Sequence, residues 1–199
     1  MSSYESLNTD FSRWAQAAGA GVVGLVTAGV WAFAEGTFWF IAPDFILILA
    51  SAFVPPAWRR LVAAALVGSL LGGMVCWVLN SYWLEDMGRV LHATPFVTQR
   101  MIDTIDGWYT HHGPPSVFFQ SFSFMQFKIW THLAVRHGFD PVVYFMIVMF
   151  SRAVRFTAVA WIGSVVGRRM QTILARHAIA LTAGYAILFV VMLLVMERR

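Results

Sequence analysis

The sequence contains a run of about 20 residues without a charge, LVAAALVGSLLGGMVCWVLN, beginning at Leu61. A helix of that length and apolarity crosses the roughly 30 Å hydrocarbon layer of a bilayer. Arg59 and Arg60 precede the run and are typical of the edge of a membrane span. The run therefore predicts a transmembrane helix over about 60–80. Three glycines predict a face for close packing against another helix: Gly68, Gly72 and Gly73.

The composition supports a membrane protein. Of the 199 residues, 59% are hydrophobic and 12% are charged, which a water-soluble domain rarely combines. The net charge of +4 comes from basic residues at the ends of apolar segments, which favours contact with anionic lipid and argues against a nucleic-acid partner. Cys76 is the single cysteine, so an intramolecular disulfide and a thiolate metal site are excluded. We expect neither a metal nor another cofactor.

The rest of the chain divides into further predicted helices and segments. A second transmembrane helix is predicted over about 141–166, and the mixed charged and aliphatic residues of 82–112 predict an interfacial segment that breaks at Pro95. Three further segments complete the expected organisation: a polar N-terminal segment at 1–13, a first apolar helix at 14–34, and a C-terminal transmembrane helix with a basic tail at 176–199.

Two apolar segments are interrupted and fit a straight membrane helix poorly. In the first, about 35–56, Pro43 breaks the segment directly before Asp44, and in the second, about 114–137, a charged residue interrupts the apolar pattern. Broken helices at membrane depth are stable where protein or a wet cavity surrounds them, so we predict re-entrant helical hairpins. Each hairpin precedes a whole span. The expected fold is an all-α integral membrane protein, an inverted repeat of hairpin plus transmembrane helix over 35–169, with flanking helices.

Five ionisable residues lie in these apolar segments. They are two acids and three bases: Glu35, Asp44, Lys128, Arg152 and Arg155. Each ionisable group near the bilayer centre costs at least about 2.5–3.5 kcal/mol, so such groups are expected to pair or to line a wet cavity. Arg152 and Arg155 lie three residues apart on one helix face, and their planar donor forks suit phosphate oxygens. Lys128 adds a further positive charge. We predict a phosphate-binding set of three bases, with the two carboxylates as counter-ions or proton-coupling groups.

Structural roles for the same residues stay open. The structural alternative for either carboxylate is an ion-pair partner or a helix cap that fixes the first hairpin. A structural role explains the two arginines less well, because a single structural partner would need only one of them. For Lys128 the alternative is that its long side chain extends to the membrane interface by snorkelling.

The same residues resemble a known family. The run AEGTFWFIAPDFILIL, then GSLLGG, FKIWTHLA and SRAVRF, resembles the DedA family, whose shared unit is called the VTT or SNARE-associated domain, and in particular its YqaA-like branch. The resemblance covers roughly 33–169. It maps the acids of the family's first hairpin onto Glu35 and onto Asp44 after Pro43. It maps the Lys after the second turn onto Lys128, and the arginine pattern of the next helix onto Arg152 and Arg155.

The resemblance implies a function in membrane lipid handling. Family members are linked to moving undecaprenyl phosphate across the bacterial inner membrane or to scrambling phospholipids, with dependence on the proton-motive force. We therefore expect a lipid transporter of the bacterial inner membrane, not an enzyme, whose partners are a phosphate-bearing or anionic lipid and protons. A homo-oligomer stays open. The alternative function is a non-transporting membrane organiser whose charged hairpins are structural, and an intramembrane lipid-phosphate enzyme is the third.

Overall fold

The computed structural model describes residues 21–39, 42–123 and 125–197, together with Asn8, Asp10, Arg13 and Gly19. Within α8, the side chains of 171, 175, 178, 189 and 192–197 are not described. Most of the predicted N-terminal segment 1–13 and the first part of the predicted helix 14–34 lie outside this range. The described residues form helices and no strand. Their order is α1 (Val22–Thr37), α2 (Asp44–Phe53), a first 3₁₀ helix (Pro55–Ala57), α3 (Trp58–Tyr82), α4 (Leu84–Ala93), α5 (Gln99–His112), a second 3₁₀ helix (Pro114–Ser121), α6 (Phe127–Arg136), α7 (Pro141–Arg169) and α8 (Gln171–Glu197).

Two of the described helical segments are long and apolar enough to cross a membrane. They are Pro55–Tyr82, which includes α3, and Pro141–Arg169, which is α7. Both contain the segments for which the sequence predicts spans. Helix α8 has a kink at His177, and its described apolar part, Ile179–Leu188, is shorter than a span. By length and composition, the two long segments indicate an association with a membrane.

Breaks in the helices fall close to the interruptions seen in the sequence. Helix α1 continues past the predicted boundary at residue 34 and ends at Thr37, whereas α2 begins at Asp44. Residues 40 and 41 between them are not described. In the second predicted hairpin, the second 3₁₀ helix is followed after a short connection by α6. The first segment therefore contains the end of α1, α2 and the start of the first 3₁₀ helix, and the second contains the second 3₁₀ helix and α6.

The predicted break at Pro95 is confirmed. Helix α4 ends at Ala93 and α5 begins at Gln99. Thr98 caps α5, because its hydroxyl oxygen accepts a hydrogen bond from the backbone N–H of Met101 at 3.3 Å. The break gives two short helices in place of one, and polar residues make up much of each.

The chain divides into two compact units. The larger contains residues 29–43 and 65–156, and its apolar core lies where α4, α5, α6 and the first part of α7 meet. Trp130 is fully buried there, and its backbone carbonyl accepts a hydrogen bond from the Tyr109 hydroxyl at 3.0 Å. Burial raises the pKa of Tyr109 well above its usual value, and the nearby Tyr144 hydroxyl acts in the same direction. The phenol therefore stays protonated and keeps donating.

Within this unit, the predicted glycine face of α3 is confirmed. A methyl group at Gly68 would lie 1.9 Å from the carbonyl oxygen of Gly29, and one at Gly72 would lie 2.3 Å from that of Phe33. Both distances are far below van der Waals contact. The absence of side chains at these positions brings α3 and α1 into backbone contact, as small residues do between membrane helices.

The other unit contains residues 1–28, 44–64 and 157–199. Here α2 packs against the last turns of α7 in the same manner. A methyl group at Gly163 would lie 2.6 Å from the carbonyl oxygen of Ile48, and one at Gly167 would lie 2.1 Å from that of Ala52. On α8, the ring of Tyr185 stacks on Phe45 of α2 with 4.3 Å between the ring centroids.

Candidate functional site

A buried ion pair joins α1 to α7 in the larger unit. The guanidinium of Arg152 donates to both carboxylate oxygens of Glu35, at 2.7 Å to Oε2 and 3.1 Å to Oε1. Arg152 is 2% exposed and Glu35 is 9% exposed. This fork-to-fork geometry is the strongest form of an Arg–carboxylate pair. Of the three bases that the sequence offered as partners for Glu35, the structure brings Arg152 to it.

Further groups surround the Arg152 guanidinium. It also donates to the hydroxyl of Ser69 on α3 and, at 3.5 Å, to the side-chain oxygen of Gln120 in the second 3₁₀ helix. Its central carbon lies 4.2 Å from the ring centroid of Phe127, a cation–π distance. The guanidinium therefore contacts polar or aromatic groups on four helical elements besides its own.

The sequence spacing of α7 explains why Arg152 is buried. Tyr144, Val148, Arg152 and Phe156 recur every four residues, and all four are at most 2% exposed. Residues at this spacing lie on one face of a helix. This buried face of α7 therefore carries one charged side chain, Arg152, among apolar and aromatic ones. A buried charge in such surroundings requires a partner, which is why Arg152 is paired.

Glu35 likewise lies on a buried face of α1. Its face includes Ala28 and Ala32, both fully buried. Because these side chains are small, a neighbouring helix lies close, as the contact of α3 with Gly29 and Phe33 shows. Glu35 thus lies in the last turn of α1 and not in the break that follows it.

Lys128 is buried, at 7% exposed. Its ammonium group on α6 donates a hydrogen bond to the backbone carbonyl of Phe38 at 2.8 Å. Phe38 directly follows the last residue of α1, where helix carbonyls lack partners within the helix. A positive charge at a helix C-terminus is also favoured by the helix dipole. Lys128 therefore stabilises the end of α1.

Arg155 makes a comparable contact at the end of the second 3₁₀ helix. Its guanidinium donates to the backbone carbonyl of Ser121, the last residue of that helix. Next to it, the hydroxyls of Ser121 and Ser151 are hydrogen-bonded at 2.8 Å. Arg155 is half-buried, whereas Arg152 is buried. The two arginines therefore differ in partner and in burial, although they lie three residues apart.

Along the chain, the division between the two units falls between Pro43 and Asp44. Pro43 is buried and belongs to the larger unit, whereas Asp44 is the half-buried first residue of α2 and belongs to the other. An acidic residue in the first turn of a helix is favoured by the helix dipole. Asp44 thus lies at the N-terminus of α2.

The buried charges do not balance. Among the residues that the structure describes, the buried charged side chains are Glu35, Lys128 and Arg152, that is, one anion and two cations. The Glu35–Arg152 pair is neutral, so Lys128 has no carboxylate of its own: none of the described ion pairs includes its ammonium group, and the Glu35 carboxylate acts on it from a longer distance. An apolar environment that holds an excess cation favours an anionic ligand.

Several neutral polar residues contribute to the site although no motif marks them in the sequence. Examples are Ser69, Gln120, Asn80 and His132, of which the first three are buried. The available signal was a polar residue inside an otherwise apolar run. That signal does not say which polar residues meet, because Gln120 and Arg152 are 32 residues apart in the chain.

Across the described ranges, no three His, Cys, Asp or Glu side chains come together in a way that holds a metal ion. No family model, curated protein or solved structure matches this chain.

Proposed function

We propose that this chain is an integral membrane protein that moves a phosphate-bearing lipid across a bilayer. The observation that carries the proposal is the set of buried charges in the larger unit, two cations against one carboxylate, in a chain with two membrane-length helices. Ionisable groups in such surroundings mark ligand or ion pathways more often than they mark structure alone.

The exposed surface of the two long helices supports the membrane part of the proposal. On α3, large apolar side chains including Val67, Leu71 and Val78 are at least half exposed. On the first part of α7, Met146 and Phe150 are 68% and 64% exposed. Large apolar side chains exposed along a helix in this way are unfavourable in water and favourable against lipid chains.

Phosphate suits the charge of the site. A phosphate group supplies the negative charge that balances Lys128, and Arg152 presents a planar fork that binds phosphate oxygens as readily as a carboxylate. Arg155 adds a half-buried third base on the same helix as Arg152. The resemblance to the DedA family points to the same chemistry and to undecaprenyl phosphate or a phospholipid in the bacterial inner membrane.

Exchange at Arg152 gives a mechanism for transport. In the resting protein Glu35 occupies the guanidinium, and an arriving phosphate takes its place. Glu35, displaced from its partner in an apolar environment, takes up a proton, and its return to Arg152 releases both the proton and the lipid. This cycle couples lipid movement to the proton gradient. Asp44 is the second proposed proton-exchanging carboxylate, and the two broken segments would act as gates.

One observation favours a second candidate, a membrane organiser that does not transport. Each of the three bases already has an acceptor inside the protein: Glu35 for Arg152, the Phe38 carbonyl for Lys128 and the Ser121 carbonyl for Arg155. Contacts of this kind stabilise broken helices and require no ligand.

A charge exchange separates the two candidates. The double variant Glu35→Arg with Arg152→Glu keeps an ion pair but moves the cation from α7 to α1. The transport proposal expects restored abundance without restored lipid movement in reconstituted vesicles, whereas recovery of both means that the pair is structural. Release of inorganic phosphate from the lipid would instead support the lipid-phosphate enzyme. Arg100→Gln, at an exposed position of α5, is the control for loss of one positive charge.

A further inference from the structure

We propose that helix α4 is a lid over a cavity beside Lys128, and that protonation of His132 releases it. The cavity lies within the larger unit and has a volume of about 50 Å³. Helix α4 forms one wall of it with Met87, Val90 and Leu91, and α6 contributes Lys128 and His132. Movement of α4 away from α6 would therefore open the cavity.

Helix α4 has few buried contacts to hold it in place. Of its ten residues, Leu91 is the one that is buried, and three charged side chains are exposed: Glu85, Asp86 and Arg89. A helix of ten residues is only marginally stable by itself in water, so its position depends on packing against its neighbours. The contact between α4 and α6 is therefore important for keeping α4 in place.

The backbone of α4 lies against the ring of His132. A methyl group at Gly88 would lie 3.3 Å from Cε1 of His132 and 3.5 Å from its Nε2. This edge of the imidazole thus faces the one residue type that has no side chain. Gly88 therefore allows the close approach and offers no side-chain acceptor for a proton on Nε2.

The hydrogen bonds of His132 show where a second proton would go. The side-chain amide nitrogen of Asn80 donates to the backbone carbonyl of Cys76 at 2.8 Å, so the amide oxygen of Asn80 faces His132. That oxygen lies 2.7 Å from Nδ1 of His132, which therefore carries the proton of the neutral ring. A second proton is added at Nε2, the nitrogen that lies against α4.

The charged groups that act on His132 within the described ranges are basic. They are Arg136, four residues later on α6, and His92 in the last turn of α4. On α6, which is not one of the two membrane-length helices, burial lowers the pKa of His132, and the positive charges of Arg136 and His92 lower it further. Lys128, four residues before His132, lines the same cavity. With α4 in place, an imidazolium at position 132 is therefore disfavoured.

Acidic residues on the neighbouring helices do not offset this repulsion. Asp86 of α4 pairs with Arg89 on the exposed face, and Asp106 of α5 pairs with His137 at 2.9 Å. The acid of α1, Glu35, is paired with Arg152 of α7. The titratable groups that α3 and α7 place beside Thr131 of α6 are a thiol and a phenol: Cys76 and Tyr144.

The direction of the pH effect follows from these contacts. When α4 moves away, the His132 ring gains water and loses the repulsion of His92, so the open form binds a proton more readily than the closed form. The closed form is therefore favoured at neutral and alkaline pH, and the open form gains as the pH falls below about 6.5. Access to the Lys128 cavity then depends on the acidity of the solution at α4.

Spin labels on α4 and α7 test the movement. Ala93 and Val142 are both exposed and belong to the larger unit, and each is replaced by cysteine in a Cys76→Ala background. The Cys76→Ala change keeps the backbone carbonyl that holds Asn80. Distances between the labels are measured by double electron–electron resonance in the reconstituted full chain. Between pH 7.5 and pH 5.5, the population at longer distance should rise at least about threefold.

Two histidine variants separate His132 from other titrating groups. His132→Gln keeps an N–H donor for Asn80 but does not titrate, so the distances should be the same at both pH values. His112→Gln, at an exposed position of α5, is the matched control and should retain the full response. A response that persists in His132→Gln, or a distribution that never changes with pH in the parent protein, overturns the inference.

A third variant tests the contact itself and does not alter the histidine. Gly88→Leu cannot be accommodated against the ring with α4 in place, so the longer distance should be present already at pH 7.5. A closed distribution in Gly88→Leu at pH 7.5 would contradict the contact and, with it, the lid. The inference goes beyond the proposed function, because the labels report the position of α4 without any lipid substrate. Failure of lipid transport therefore leaves the lid standing, and a lid that does not move leaves the transport proposal standing.

Discussion

Replacement of either member of the Glu35–Arg152 pair should destabilise the protein more than replacement of both. Glu35→Met leaves a guanidinium buried beside Ser69 and Gln120 without its carboxylate. Arg152→Met leaves a carboxylate buried at the end of α1 without its cation. The double variant removes both charges and leaves neutral, apolar side chains of similar length.

The expected size follows from the burial of the pair. With Arg152 at 2% and Glu35 at 9% exposure, each single variant is expected to lower the free energy of unfolding by about 3–5 kcal/mol. For a chain of this length, that corresponds to a fall of roughly 6–20 °C in the melting temperature. The double variant leaves one neutral acceptor, the Ser69 hydroxyl, without its donor, at a cost of about 1–3 kcal/mol, whereas the Gln120 side-chain oxygen still accepts from the Ser121 hydroxyl at 3.3 Å. The coupling between the two positions is therefore about 3 kcal/mol or more.

The assay is thermal unfolding of the four proteins in one detergent, followed by intrinsic tryptophan fluorescence. An exposed pair of the same chemistry, Asp86 and Arg89 on α4, is the matched control, and its two single variants should each change stability by less than about 1 kcal/mol. Additive losses in the Glu35–Arg152 cycle would refute the reasoning, because they would mean that the two charges do not stabilise each other.

Two further predictions concern packing and pH. Gly72→Ala places a methyl group against the Phe33 carbonyl and should destabilise the protein by about 1–3 kcal/mol. The control is Gly107→Ala, whose methyl group meets open space in α5, so that it should be neutral or stabilise the protein by up to about 1 kcal/mol. Equal effects of the two variants in thermal unfolding would contradict the close contact of α1 and α3. Tyr109→Phe removes the donor to the Trp130 carbonyl and should cost about 1–2 kcal/mol at neutral pH. The unfolded chain loses the Tyr109 proton near pH 10, whereas the folded protein retains it. The free energy of unfolding should therefore fall as the pH rises above about 10. Tyr109→Phe should make that fall shallower in unfolding measured from pH 8 to 11. An unchanged slope would show that Tyr109 ionises equally in both states.

Local signals were sufficient for much of the fold. The long charge-free run of α3, its glycine face and the break at Pro95 were all predicted correctly, because each depends on residues close together in the chain. Length, side-chain size and the backbone restriction of proline decide such features without reference to the rest of the protein.

Contacts between distant residues were not predictable in the same way. Glu35 and Arg152 are 117 residues apart, and Lys128 and Phe38 are 90 residues apart. The sequence shows that the charges need partners, but the choice depends on which face of α7 packs inward. The end of α1 shows the same effect. A charge at position 35 indicated a helix boundary, yet the helix continues to Thr37, and the distant guanidinium of Arg152 pairs with that charge.

Movement of lipid headgroups in defined liposomes tests the central claim most directly. Vesicles that contain a fluorescent phosphatidic acid, with fluorescent phosphatidylcholine as the matched lipid, report how fast headgroups from the inner leaflet become accessible to an impermeant quencher. With a pH gradient across the membrane, the unaltered protein should accelerate phosphatidic acid movement over protein-free vesicles. Arg152→Gln and Glu35→Gln, compared at equal reconstituted amounts, should abolish the acceleration, and Arg100→Gln should keep it. A rate unchanged from protein-free vesicles, or a rate equal in all four proteins, would contradict transport through the buried charges.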